Sequence, residues 1–125
     1  MYIIGRIDIK TFSVVAKNIR TEEVVISNER IEHIEAHHPG DFETYSKYIE
    51  RMLEDPQYIL EDSVPKTAVV LNDFYEDDKR FRLILKLAVI EDEQNKKNSV
   101  ITFMKISEKK FEKYLRNKKI LYKRK

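Results

Sequence analysis

The chain contains no cysteine, which removes disulfides, zinc ribbons and thiol nucleophiles from its chemistry and fits a reducing, cytoplasmic setting. Glycine is scarce as well, with two in 125 residues, and neither a Gly-rich phosphate loop nor a Gly-x-Ser-x-Gly elbow is present. No apolar run approaches the ~18 residues of a membrane span. No signal-peptide pattern opens the chain, so neither membrane insertion nor export by that route is expected. Internal repeats and low-complexity linkers are missing too. What remains, at 42% hydrophobic, is one domain over residues 1–125, with enough apolar surface to bury a core without a structural metal.

Charge is nearly balanced at +2, but it is unevenly placed. Lys105 to Lys125 holds ten Lys and Arg against two Glu, while the rest of the chain holds 14 against 20. Phe111, Tyr114 and Tyr122 are interleaved with these cations, a pattern that suits a polyanion whose phosphates need countercharge and whose bases stack. It equally suits a solvated terminal helix whose Phe111, Tyr114 and Leu115 face the core.

All three histidines fall in Arg30-Ile-Glu-His-Ile-Glu-Ala-His-His-Pro39. An imidazole, with an unperturbed pKa near ~6.5, gives or takes a proton at neutral pH. Helical spacing puts His33 and His37 on one face and His38 in line with Ile31 and Ile34 on the apolar face. Ser27 or Asn28 is expected to cap the helix, Glu29 and Glu32 suit its positive end, and Pro39-Gly40 stops it.

The remaining pattern predicts an α+β fold. Residues 2 to 16 read as a strand or hairpin and Glu23 to Ile26 as a short strand. After the histidine helix, Asp41 to Asp55 reads as a second helix, ended by Pro56. Ala68 to Leu71, Arg80 to Ile90 and Ser99 to Ile106 follow as strands of an antiparallel meander, with Gln57 to Glu61 a shorter candidate before them. A basic helix capped by Ser107 and a frayed tail close the chain. On the long strand Phe81, Leu83, Leu85 and Leu87 form one face and Arg82, Ile84 and Lys86 the other. Ile101 and Phe103 are expected on the apolar side, with Asn98, Val100 and Thr102 opposite. Cations and hydrogen-bonding side chains on that second face predict a cleft floor.

Val25 to Pro39, Pro56 to Glu61, Arg82 to Leu87, Lys97 to Phe103 and Arg116 to Lys123 together resemble a family of phage- and mobile-element-associated nuclease-like domains. That family belongs to the group uniting barnase, EndoU, the tRNA-cleaving colicins and RelE-type toxins. The helix motif looks like His-Ile-x-x-Arg-His-Pro, matched by His33, Ile34, His38 and Pro39, with His37 in the arginine's place. Asn72 stands where a lysine is expected. The Asn-Ser-x-Ile-Thr-Phe motif is matched at Asn98, Ser99, Ile101, Thr102 and Phe103. The resemblance implies metal-independent RNA cleavage on an α+β scaffold, with helices first and the antiparallel sheet after, in a domain often found at the end of phage head-morphogenesis proteins.

Such cleavage needs a base for the ribose 2′-hydroxyl, an acid for the leaving oxygen and fixed donors for phosphorane charge. His33, His38, Lys86, Thr102 and Ser99 are the candidate catalytic groups, expected around one cleft between the histidine helix and the sheet. Arg82, His37, Asn98, Lys110, Lys113 and Arg116 are the candidate substrate contacts. Each also has a plain structural reading: His38 as a core or cap residue, Arg82 and Lys86 as surface cations, and Ser99 and Thr102 as ordinary strand residues. His33 and His37 could hold a metal with Asp41 or Glu29 as third ligand, but the glutamate of a His-Glu-x-x-His site is missing, and no metal or cofactor is expected. The expected partners are RNA, tRNA included, and an immunity or antitoxin protein of a toxin-like enzyme. The competing reading is a non-catalytic nucleic-acid- or protein-binding module of a phage or mobile element.

Overall fold

Strand Lys79–Lys86 (β5) alternates buried Phe81, Leu83 and Leu85 with half-buried Arg82, Ile84 and Lys86, so it must be covered on both faces, and on different terms. The computed structural model, which describes residues 2–125, shows how. β1 (Tyr2–Arg6), β2 (Glu23–Ile26), β3 (Tyr58–Glu61), β4 (Thr67–Phe74), β5, β6 (Asn98–Ile106) and β7 (Ile120–Lys123) form one sheet in the order β1-β2-β6-β5-β4-β3-β7. Helices α1 (Ile9–Phe12), α2 (Asn28–His37), α3 (Asp41–Tyr45), α4 (Lys47–Glu54) and α5 (Glu108–Asn117) complete the α+β architecture.

The main core lies under α2 to α4, where Ile34, Phe42, Ile49 and Met52 meet Phe81, Leu83, Leu85, Val100 and Phe103. Each fully buried side chain of this size contributes roughly 1.5–3 kcal/mol by transfer. A smaller cluster lies on the other face, where Phe111 of α5, with Tyr114 and Leu115, packs on Leu60, Val69, Leu71, Ile84 and Met104. β1 approaches α4 closely enough that a Cβ on Gly5 would lie 2.9 Å from Leu53 Cδ1.

The helix ends follow the expected chemistry. Ser27 accepts the N–H of Arg30 at 3.1 Å and Ser107 that of Lys110 at 3.1 Å, each satisfying an orphan donor of the first turn. α2 stops at His37, ahead of Pro39, and Gly40 turns the chain with φ +83°, a conformation that favours glycine.

Several expectations are corrected. Asp8 accepts the N–H of Lys10 at 3.0 Å and starts α1 inside the stretch expected as strand or hairpin. The expected helix from Asp41 to Asp55 is two helices joined at Ser46. β5 ends at Lys86; Leu87, Ala88 and Val89 form a buried coil rather than sheet, apart from one bridge from Ile19 to Val89. β2 and β6 run parallel, so the sheet is not wholly antiparallel. In β6 the register slips by one, from Ile84 opposite Thr102 to Leu85 opposite Val100. The bulge at Ile101 sends Val100, rather than Ile101, into the main core. The expected tail contains β7, an edge strand antiparallel to β3.

Candidate functional site

α2 turns Ile31 and Ile34 toward the main core and leaves Arg30, His33 and His37 exposed. At i, i+3 and i+7 these three share a stripe of the helix. The rings of His33 and His37 are side by side, with centroids 4.4 Å apart and planes tilted by 44°. His37 Nδ1 lies 3.0 Å from the His33 carbonyl oxygen. A carbonyl only accepts, so Nδ1 carries the proton, and in the neutral ring the Nε2 lone pair is left for an outside partner. Arg30 belongs to none of the ion pairs among the described residues. It is a fixed cation one turn before the imidazoles, and the sequence reading missed it although the i, i+3, i+7 spacing was there to find it.

His38 is not part of this pair. It caps the C-terminus of α2 with φ −141° and ψ 76°, so the helical rotation that would align it with Ile31 and Ile34 has already ended, and the residue is half-buried. Its N–H donates to Ile34 O at 2.9 Å and its carbonyl accepts from Asp41 N at 3.0 Å.

The expected sheet residues Arg82, Lys86, Ser99 and Thr102 lie on the opposite face of the sheet. Lys86 is directly across from Ser99, Thr102 from Ile84, and Arg82 from Met104, and Ile84 and Met104 belong to the cluster under α5. The structure therefore brings Lys86, Ser99, Thr102 and Arg82 onto one face but separates them from the histidine helix, which docks on the main-core side. The single cleft expected to hold His33, Lys86 and Thr102 together is not formed. Period-two alternation assigned Arg82, Lys86 and Thr102 to one face correctly, but the bulge at Ile101 put Ser99 on that face in place of Asn98; nothing local told which face α2 would cover.

Lys86 Nζ donates to the Pro65 carbonyl at 3.1 Å. Arg82 donates from Nη1 to the Tyr114 hydroxyl and lies 5.7 Å from that ring's centroid, while its Nη2 meets Met104 Sδ and its Nε is buried without a partner. Asn98 is 0% exposed. Its amide oxygen accepts from Ala88 N at 2.8 Å, and its Nδ2 donates to the carbonyls of Thr21 and Glu23 at 2.7 and 3.0 Å. This side chain ties β6 to β2 and to the end of β5, with no donor or acceptor turned to solvent.

The basic segment keeps Lys110, Lys113 and Arg116 exposed on α5. Lys109, Lys110, Lys113, Tyr114 and Lys118 line a basin of about 500 Å³. Phe111 of the same helix is buried in the cluster against the sheet, so the helix has both the core face and the cationic face that its composition allowed.

Asn72, at the position where a lysine was expected, is 2% exposed. It accepts from Gln57 N at 3.0 Å and donates to Asp55 O at 3.2 Å, joining β4 to the start of β3 away from the cationic face. Nearby, burial pushes the Asp73 carboxyl up despite Arg80, whose Nε is 3.3 Å from Asp73 Oδ2. Arg80 also reaches Asp78 and Glu108, linking the sheet to the start of α5. The Asp77 carboxylate, hydrogen-bonded to the Tyr48 hydroxyl, and burial together push that hydroxyl up to about 12.

Among the described residues no three His, Asp or Glu side chains form a metal-ligand group, so neither Asp41 nor Glu29 completes a set with His33 and His37. No described helix is long and apolar enough to cross a membrane.

A mixed α+β sheet with an exposed imidazole pair on one helix and a cationic basin on another fits a nuclease-like domain. The family model described as phage-Barnase-EndoU-ColicinE5/D-RelE like nuclease2 matches residues 3–123, and the chain belongs to that family. No curated protein and no solved structure matches it.

Proposed function

We propose that the chain is a metal-independent endoribonuclease that works by 2′-hydroxyl transesterification, with its proton-transfer groups on the solvent stripe of α2. The observation that carries this is the contact of the His33 and His37 rings, 4.4 Å apart beside Arg30. Neutral His37 takes the ribose 2′-hydroxyl proton at Nε2, and the alkoxide attacks phosphorus. The P–O5′ bond breaks as His33, protonated, delivers a proton to the leaving oxygen. The products are a 2′,3′-cyclic phosphate and a 5′-hydroxyl. Arg30 opposes the phosphorane charge. Acid and base are each worth roughly 10²- to 10⁴-fold, and the fixed cation adds electrostatic stabilisation.

In this reading Lys86, Ser99 and Thr102 take no part in proton transfer. Lys110 and Lys113 in the α5 basin, with Arg116 exposed further along the same helix, anchor RNA on the other layer. An enzyme that cuts cellular RNA harms the cell that makes it, so the reading carries a cytoplasmic toxin role and an inhibiting immunity or antitoxin protein with it.

The test is incubation with total RNA and tRNA in excess EDTA, followed by mapping of the cleaved ends. Cyclic-phosphate and 5′-hydroxyl ends, with DNA left intact, are expected. A requirement for divalent metal, equal cutting of DNA, or full activity without His33 and His37 overturns the mechanism. The α5 basin supports a second reading, a polyanion-binding module without turnover, which predicts salt-sensitive RNA binding and intact RNA in the same assay.

A further inference from the structure

His33 and His37 stand at i, i+4 on an exposed helix face with their rings in contact. His37 donates Nδ1–H to a backbone carbonyl, the outer-shell arrangement that fixes the tautomer of metal-ligating histidines and presents Nε2 as the ligand atom.

We propose that His33 and His37 form a two-imidazole chelate for a divalent late first-row transition ion, Cu²⁺, Ni²⁺ or Zn²⁺. Two imidazole nitrogens sharing one ion at ~2.0–2.1 Å each sit roughly 3 Å apart, within reach of side-chain rotation from rings 4.4 Å apart. With no third protein ligand assembled, water completes the coordination, and the ion exchanges rather than holding the fold together. Glu29, one helical turn before His33, places a negative charge on the same helix surface. Imidazole nitrogen selects late transition ions in the order Ni²⁺ below Cu²⁺, with Zn²⁺ weaker than Cu²⁺. Mg²⁺ and Ca²⁺ take oxygen ligands and are not suited by an imidazole pair. Resting on the reading given under Proposed function, the bound ion also silences cleavage, because it occupies the lone pairs that proton transfer uses.

The test uses the whole chain without a histidine tag, titrated with Cu²⁺ and Ni²⁺ against a chromophoric chelator at neutral pH, with Mg²⁺ as control. One ion per chain is expected, with affinity at least tenfold weaker in His33→Ala and in His37→Ala and unchanged in His38→Ala. The Cu²⁺ form should show electron-spin coupling to two imidazole nitrogens. Unchanged affinity in either of the first two variants, coupling to one nitrogen, or equal binding of Mg²⁺ overturns the proposal. Ribonuclease activity is measured separately, with and without saturating Ni²⁺. A chain that binds the ion but cleaves no RNA keeps the chelate and loses the nuclease reading, whereas a chain that cleaves RNA without binding the ion does the reverse.

Discussion

Glu35 caps Phe42: from inside α2 its carboxylate accepts the N–H of Phe42 at 2.9 Å, and with its second oxygen that of Gly40 at 2.8 Å. One carboxylate thus satisfies two donors at the start of α3 and fixes the corner that follows His37 and His38. Glu35→Ala should lower stability by about 1 kcal/mol, as expected for a lost helix cap, with Glu35→Gln partly restoring it. Urea unfolding of the two variants checks this.

His33→Ala and His37→Ala should each slow RNA cleavage by about 10²-fold or more, with melting temperature nearly unchanged because both side chains are exposed. Lys86→Ala and Thr102→Ala should cause a much smaller loss, since those residues lie on the face away from α2. Initial cleavage rates in EDTA, compared across the four variants, decide between a site on the histidine helix and one on the sheet.

Asn98 sits in the sequence motif that resembles a substrate contact, but its amide bonds three backbone groups in the interior. Asn98→Ala leaves those groups unsatisfied, and each orphaned buried group costs about 1–3 kcal/mol. A large fall in the urea midpoint is expected, with RNA affinity of the remaining folded protein unchanged by fluorescence anisotropy.

Each phosphate neutralised on a single strand releases counterions, adding about −0.7 to the slope of log affinity against log salt. Replacing Lys110, Lys113 and Lys118, which line the α5 basin, with Ala should flatten that slope by up to about 2. An unchanged slope in a salt titration would make the basin a solvated face.

The Tyr48 hydroxyl is pushed up to about 12 from 10.0 by its bond to Asp77 and by burial. The folded state therefore keeps this proton where the unfolded state has lost it. Its contribution to stability is complete below pH 10 and disappears as pH rises toward 12. Tyr48→Phe should flatten the alkaline fall of stability. Asp77→Asn should bring the tyrosinate absorbance of Tyr48 in at lower pH.

The parts of the fold legible in the sequence were those written locally. Ser27 and Ser107 cap where a hydroxyl before a helical pattern predicts, and Phe81, Leu83 and Leu85 show their face by period two. Decisions taken by tertiary contacts were not legible. Leu87 to Val89 look like strand because they are apolar, yet they form a buried coil, and Arg20 fixes where it leads by binding the carbonyls of Val89, Ile90 and Asp92. The bulge at Ile101 has no glycine to announce it. Ile120 to Lys123 read as tail because β7 pairs only with β3, far away in sequence. The site was legible to the same degree: the imidazole pair follows from helical spacing, while its separation from Lys86 and Thr102 depends on which side of the sheet α2 lands.

The parallel pairing of β2 with β6 affects the order in which the molecule comes into being. α2 follows β2 directly, but β6, the strand beside β2 and part of the surface on which Ile34 rests, is encoded only after α3, α4 and three further strands. Contacts between such distant segments form late and slowly, because loop closure precedes any reward from packing. A ribosome therefore releases α2 well before its floor exists, and the face that carries His33 and His37 is seated only once β6 has been made.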